Sequence, residues 1–258
     1  MTALASALAD TQALWPGLLP GAGVVLAAAV LRGFTGFGFA LAAVPLLGML
    51  QAPAEAVPLA IALQFLGGLV DLRPAARLAH WPSLRWLMAG AVVGSPLGML
   101  LLGAVSPALA RVLIGAITLS AVLVLGLGRP AEALGSPGPT VGAGFLAGLF
   151  NGLAGMPGPP AVAYYMALPI GAPAVRASLL VFFLATSVAA LASAAALGRL
   201  AWTTMLHAAV LLPVMIVGTA LGGRAFSMGS ARTHRLTSIG VLAVIGLTSL
   251  LRGLQGLG

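Results

Sequence analysis

Apolar residues run through this chain in long blocks, and polar positions gather at the ends of the blocks rather than alternating within them. Leu87–Gly103 is typical: it is apolar throughout apart from Ser95. A bilayer-spanning helix needs about 20 consecutive apolar residues, whereas membrane β-barrels are built from strands of roughly ten residues with alternating polarity. The pattern therefore predicts helices. Read against Pro, Gly and Arg boundaries, it gives ten segments at roughly 17–32, 38–50, 55–72, 84–104, 107–127, 139–153, 158–170, 174–197, 203–222 and 233–252. Trp15, Trp81, Trp86 and Trp202 fall at segment ends, the depth at which indole rings anchor a helix in the headgroup region. Residues 1–15 contain no basic residue and include Asp10, so they do not read as a secretory signal, which needs a positive start.

The segments repeat. Gly33 and Gly36 match Gly152 and Gly155 at an offset of 119, Pro53 matches Pro173 at 120, and Trp81 matches Trp202 at 121. Arg77-Leu78-Ala79 recurs as Arg199-Leu200-Ala201. Gly94, Leu97, Gly98 and Arg111 recur as Gly218, Leu221, Gly222 and Arg235 at 124. An ordered series with slowly drifting offset is the mark of a duplication. The expected organisation is a first transmembrane repeat at 1–127, a Pro/Gly-rich linker at 128–138 and a second repeat at 139–258.

Composition narrows the class. Of 258 residues only 16 are charged, 12 basic and 4 acidic, and 60% are hydrophobic. Soluble domains are about a quarter charged, so an ordinary soluble enzyme and a disordered chain are excluded. The net charge of +8 comes from arginines scattered singly, which is not the patch a nucleic acid requires. There is no Cys, hence no disulfide or thiolate chemistry. Five segments per half is an odd number, so the repeats should be inverted relative to one another. On that count Arg73, Arg77, Arg85, Arg129, Arg176, Arg224, Arg232 and Arg235 share one side, against Arg111, Arg199 and Arg252 on the other. Cytoplasmic loops carry the excess of Arg, which places both termini outside.

The chemistry concentrates at two breaks. Arg32-Gly33-Phe34-Thr35-Gly36-Phe37-Gly38 separates the first two segments, and Asn151-Gly152-Leu153-Ala154-Gly155-Met156-Pro157-Gly158-Pro159-Pro160 separates the sixth and seventh. Gly and Pro at this density stop helices, and unwound backbone in a bilayer persists only where protein buries it or it lines a wet cavity. Paired breaks at matching points of inverted repeats point to a transporter's substrate site. A segment that starts after a break presents free N–H groups carrying about half a positive charge. The second and seventh segments could thus aim donors at one anion, with Thr35 and Asn151 adding side-chain donors. The alternative is that the glycines serve only close helix packing.

The two signatures Gly33-Phe34-Thr35-Gly36-Phe37-Gly38 … Pro45-Leu46 and Gly148-Leu149-Phe150-Asn151-Gly152-Leu153-Ala154-Gly155-Met156-Pro157-Gly158-Pro159-Pro160 resemble the duplicated Gly-rich signatures of the TauE/SafE sulfite-exporter family, departing from the usual form at Phe37 and Met156-Pro157. The resemblance covers nearly the whole chain. It implies export, or in some members uptake, of small sulfur-containing anions across the bacterial cytoplasmic membrane. On the matching positions it implies the glycines Gly33, Gly36, Gly38, Gly152, Gly155 and Gly158; the residues of the two breaks add Arg32, Phe34, Thr35, Phe37, Asn151, Ala154, Met156 and Pro157 as candidate substrate contacts, with Tyr164 after the second break. Alternating access is the expected mechanism; an anion channel or a structural membrane subunit is the alternative. The expected partners are a small anion, the lipid bilayer and a coupling ion, with protons a candidate. No cofactor, metal or nucleic acid is implied.

Isolated polar residues complete the reading. Arg32 abuts a break with no acid adjacent in sequence, and is either the countercharge for an anion or a side chain reaching to the headgroups. Asp71 is expected to pair with Arg73, and is also the leading proton-coupling candidate. Arg176, Gln64 and Ser178 are further gating or coupling candidates; Gln64, Ser178, Thr186 and Ser187 either line a cavity or bond helix to helix. Glu55 suits the first turn of the third segment, where the helix dipole favours an acid. Of Tyr164 and Tyr165, at least one is expected to face lipid. An intramembrane enzyme is disfavoured: three His, at 80, 207 and 234, form no His-Glu-x-x-His, and Gly94-Ser95-Pro96-Leu97-Gly98 lacks nucleophile-elbow spacing. A phosphate-cradling loop is also missing from the sequence.

Overall fold

The computed structural model describes residues 2–35, 38–127, 137–227 and 231–257, with side chains described for all of these except 2–17, 35, 127, 225–227, 231–235 and 238. The described residues form α1 (Thr2–Thr35), α2 (Phe39–Leu50), α3 (Pro53–Leu78), α4 (Trp81–Ala104), α5 (Pro107–Leu127), α6 (Pro137–Ala154), α7 (Gly158–Met166), α8 (Ala172–Ala196), α9 (Trp202–Ser227) and α10 (Ala231–Gln255), with no strand among them. Each expected segment has its helix. Pro53, Pro107 and Pro137 stand first in theirs, where a missing N–H costs nothing and the fixed φ suits the helix.

Several boundaries differ from expectation, among them the ends of α3 at Leu78 rather than 72 and of α9 at Ser227 rather than 222. Helix α1 begins at Thr2, fifteen residues before the apolar run, because its Ala- and Leu-rich start has high helix propensity without being uniformly apolar. Helix α7 stops at Met166 rather than 170, since Leu168 precedes Pro169 and a residue before proline is driven out of the helical region. Helix α6 already starts at Pro137, inside the expected linker; the rest of the linker, 128–136, lies outside the described residues.

Among the described residues, five helices are long and apolar enough to cross a membrane: α3, α4, α5, α8 and α9. Helices α2 and α7 have 12 and 9 residues, about 18 and 14 Å at 1.5 Å per residue. Both are short of the ~30 Å hydrocarbon layer. Trp81, Trp86 and Trp202 are exposed near the starts of α4 and α9, as anchors at a span end would be.

Helix α4 packs most extensively on α6, followed by α1 on α9, α5 on α10 and α3 on α8. Each of these pairings joins the first half of the chain to the second. Glycine makes the closest of them possible. A methyl added at Gly90, Gly94 or Gly98 of α4, or at Gly144, Gly148 or Gly152 of α6, would overlap backbone of the facing helix. Gly33 of α1 and Gly222 of α9 are in the same position. Between helices in lipid this backbone approach supplies van der Waals contact where no hydrophobic force is available.

Candidate functional site

The two breaks are built by the same means. Gly38 precedes α2 with φ of 96°, and Gly155 follows α6 with φ of 66°. These are conformations that a Cβ makes costly. At the second break the N–H of Gly155 donates to Asn151 O at 2.6 Å and that of Met156 to Phe150 O at 3.3 Å, closing the end of α6. Pro157 then stands at the N-cap of α7. Neither Gly38 nor Pro157 makes a side-chain cap bond, so no side chain of the cap residue satisfies the first-turn N–H groups of α2 and α7. Thr35 ends α1; its side chain, together with Gly36 and Phe37, lies outside the described residues.

The second break sits against α2. A methyl at Gly155 would stand 3.4 Å from Val44 of α2 and Ile61 of α3, and one at Gly158 would stand 3.9 Å from Leu41 of α2. Asn151, Gly152, Ala154, Gly155, Met156, Pro157 and Gly158 are all buried, with Thr118 Oγ1 3.6 Å from the sulfur of Met156. Within this set, Gly33 and Gly152 stand apart. Their faces lie against the backbones of α9 and α4, near Thr219 O and Ser95 O respectively, so close packing accounts for both glycines.

The buried polar side chains mostly bond helix to helix. Asn151 Nδ2 donates to Thr186 O at 2.8 Å, while its Oδ1 has no partner among the described residues. Gln64 Nε2 donates to Ser187 Oγ at 3.4 Å, linking α3 to α8. Ser178 Oγ accepts the backbone N–H of His80 at 2.8 Å. Thr186 and Ser187 hydroxyls return to Phe183 O in their own helix. Glu55 does lie in the first turn of α3.

Two expectations about charge are corrected. Arg32 is not without an acid: its Nη2 donates to Asp71 Oδ2 at 2.5 Å. Asp71 is accordingly paired with Arg32 of α1 rather than with Arg73 beside it. The reason is burial: the Arg32 side chain is 11% exposed, and an enclosed guanidinium needs a counter-charge more than the exposed Arg73 does. A third correction concerns the tyrosines. Neither faces lipid; Tyr164 and Tyr165 are 2% and 0% exposed and meet edge to face at 5.3 Å. Thr140 donates to the Tyr164 hydroxyl at 3.1 Å and Ser83 to that of Tyr165 at 3.4 Å, so packing and hydroxyl partners hold both inward.

A cavity of about 650 Å³ opens between the end of α1, the end of α7 and the start of α8. Phe34 of the first break and Arg176 line it, together with Tyr165, Leu168 and Ile170. That volume is in the range of small-molecule sites. A second cavity of about 370 Å³ lies beside it, lined by Tyr164, His80, Ser83, Arg85 and Thr140. Residues 21–249 match the family model described as Sulfite exporter TauE/SafE. The chain belongs to that family.

As a TauE/SafE protein it is a multi-pass membrane transporter and not an enzyme. It is 28% identical over 224 residues to a protein of Cupriavidus necator described as "Probable sulfite/organosulfonate exporter TauE", covering 84% of this chain and 87% of that one. No solved structure matches it. Sequence reasoning missed the Arg32–Asp71 pair and the cavity wall contributed by 165–170. For the pair a signal did exist. The chain has four acids, Asp10, Glu55, Asp71 and Glu132, and Asp71 is the one near the C-terminal end of an apolar segment. For Leu168 and Ile170 no signal exists, since apolar residues in a turn look the same whether they face a cavity or lipid.

Proposed function

We propose that this TauE/SafE transporter exports sulfite or an organosulfonate across the bacterial cytoplasmic membrane by alternating access. The anion is taken up beside Arg32 and Phe34 and passed to the N-termini of α2 and α7. One observation carries the reading. The large cavity has Phe34, at the end of α1 beside the first Gly-rich break, on one wall and Arg176 on another, which brings a cationic side chain and the edge of a helix break to the same opening. The start of α2 and, through Gly158 and Ala161, that of α7, whose Pro159 and Pro160 carry no N–H, would supply N–H donors to an anion without a net charge buried in lipid. Residues Gly155 to Gly158 are packed against α2 in this conformation, so the second break contributes after a rearrangement.

Support for inverted repeats comes from the contact pattern. Exchanging α1 to α5 for α6 to α10 turns the α4–α6 pairing into α9–α1, α4–α8 into α9–α3 and α2–α10 into α7–α5. It leaves α3–α8 and α5–α10 unchanged, and all of these contacts are present. With an odd number of segments per repeat, such a pair is inverted across the membrane, with both termini outside. The substrate class rests on the family and on the Cupriavidus necator relative's description.

The test is flux in reconstituted vesicles loaded with sulfite, thiosulfate, sulfonates and carboxylates in turn. Saturable flux of sulfite or a sulfonate, with carboxylates poorly carried, is expected. Flux that rises linearly with concentration would identify a channel, and no flux of any sulfur anion would sink the proposal.

A further inference from the structure

The ion pair between α1 and α3 is unequal. Arg32 is enclosed, its side chain 11% exposed, with a guanidinium nitrogen 3.3 Å from where a methyl at Gly67 would stand, a position the Met215 side chain also crowds. Gly67 is what leaves room for the guanidinium beside α3. Asp71 is 37% exposed and can turn into water while Arg32 cannot. An Arg without a counter-charge inside a membrane is costly, which favours an anion beside Arg32 whenever Asp71 leaves it. Arg32 lies within electrostatic reach of Asp71 and Arg176, and Arg176 lines the large cavity. A small anion drawn to Arg176 therefore comes within electrostatic reach of a guanidinium whose present partner is a part-exposed carboxylate.

We propose that Asp71 is a stand-in for the substrate: it occupies Arg32 when the cavity is empty, and a sulfur oxyanion binds Arg32 by displacing it. The proposal rests on the transport reading above and goes beyond it, because it assigns Asp71 as a competitor of the substrate and hence a determinant of affinity. Oxyanions with two or three oxygens can take a guanidinium in the paired N–H···O geometry, which is the chemistry a carboxylate imitates. Asp71 thus keeps Arg32 aligned while making weakly binding anions lose the contest.

Two experiments test it. Sulfite flux into reconstituted vesicles is measured for wild type, Asp71→Asn, Arg32→Gln and the double variant. Removing the competitor should lower KM about 3- to 10-fold for Asp71→Asn, of the order that a 1.4 kcal/mol change produces. Arg32→Gln should raise KM at least tenfold on the same scale, and the double variant should follow Arg32→Gln. A KM for Asp71→Asn that is unchanged or raised overturns the proposal, because a merely structural acid would lower protein yield without tightening the anion. The second experiment needs no variant. Wild-type protein is labelled with a water-soluble carbodiimide and glycine ethyl ester at increasing sulfite, and modification is read by mass spectrometry. Labelling of Asp71 should rise with sulfite while that of Glu55 stays level; a flat Asp71 signal overturns the exchange. If wild-type vesicles carry no sulfur anion at all, the transport reading itself fails. Saturable flux with flat Asp71 labelling defeats the exchange alone.

Discussion

Gly142, Gly152, Gly155 and Gly158 lie within 17 residues of one another and are the same letter, yet their surroundings ask different things of them. A methyl at Gly152 would stand 2.6 Å from the backbone nitrogen of Met99 and overlap Ser95 O, whereas one at Gly142 meets nothing within 4 Å. Gly152→Ala must therefore push α4 and α6 apart, an overpacking cost of about 1–3 kcal/mol. Gly142→Ala adds helix propensity, worth up to about 1 kcal/mol. Melting temperature in detergent should fall for the first and hold or rise for the second. Equal melting temperatures would mean that the α4–α6 crossing is looser than the geometry described here.

At the scale of elements, the break between α6 and α7 turns on one residue. Gly155 has φ of 66°, where an L-residue pays roughly 1–2 kcal/mol, while Gly158 opens α7 with ordinary van der Waals room around a Cβ. Gly155→Ala is expected to lower the melting temperature and slow sulfite flux together, with Gly158→Ala leaving the melting temperature near wild type. A thermal melt and initial-rate flux check this directly, and a harmless Gly155→Ala would show that the left-handed turn is not what ends α6. The same pair shows what the sequence could disclose. Helix existence was legible because apolar blocks, leading prolines and Gly-rich interruptions are local properties, so α3, α5 and α6 begin at Pro53, Pro107 and Pro137. Which glycine turns the chain and which one admits a neighbouring backbone depends on a helix folded against it from the other half, as with Gly152 and Ser95. Arg32 and Asp71 are 39 positions apart, on helices whose rotation about their axes no local pattern fixes, so their pairing was hidden although both residues stood out.

Taken whole, the molecule does not divide where the chain repeats. Helices α2, α5, α7 and α10 contact one another, with α5–α10 the largest interface among them. Helices α1, α3, α4, α6, α8 and α9 form a second group held by α4–α6, α1–α9, α3–α8, α4–α8 and α3–α9. Each group maps onto itself when the halves are exchanged, and the chain passes from the larger group to the smaller at both Gly-rich breaks. Sliding one half of the sequence against the other would shear interfaces where backbones touch through glycine, and packed interfaces do not deform continuously. Moving one group against the other would leave all of these crossings intact and would reshape the large cavity, which lies between α7 on one side and α1 and α8 on the other. The chain has no native Cys, so engineered pairs read out this difference cleanly. Val44 of α2 and Ile61 of α3 would each lie 3.4 Å from a methyl at Gly155 and belong to different groups. Gly68 of α3 and Leu184 of α8 belong to the same group, with 3.2 Å between a Cβ at Gly68 and that of Leu184, within a few tenths of an ångström of disulfide spacing. A short thiol-cleavable cross-link in the Val44→Cys/Ile61→Cys protein should arrest sulfite flux, and reduction should restore it. An oxidised Gly68→Cys/Leu184→Cys protein should retain flux although that bond joins the two sequence halves. Arrest by the second bond and not the first would place the moving boundary between the repeats instead.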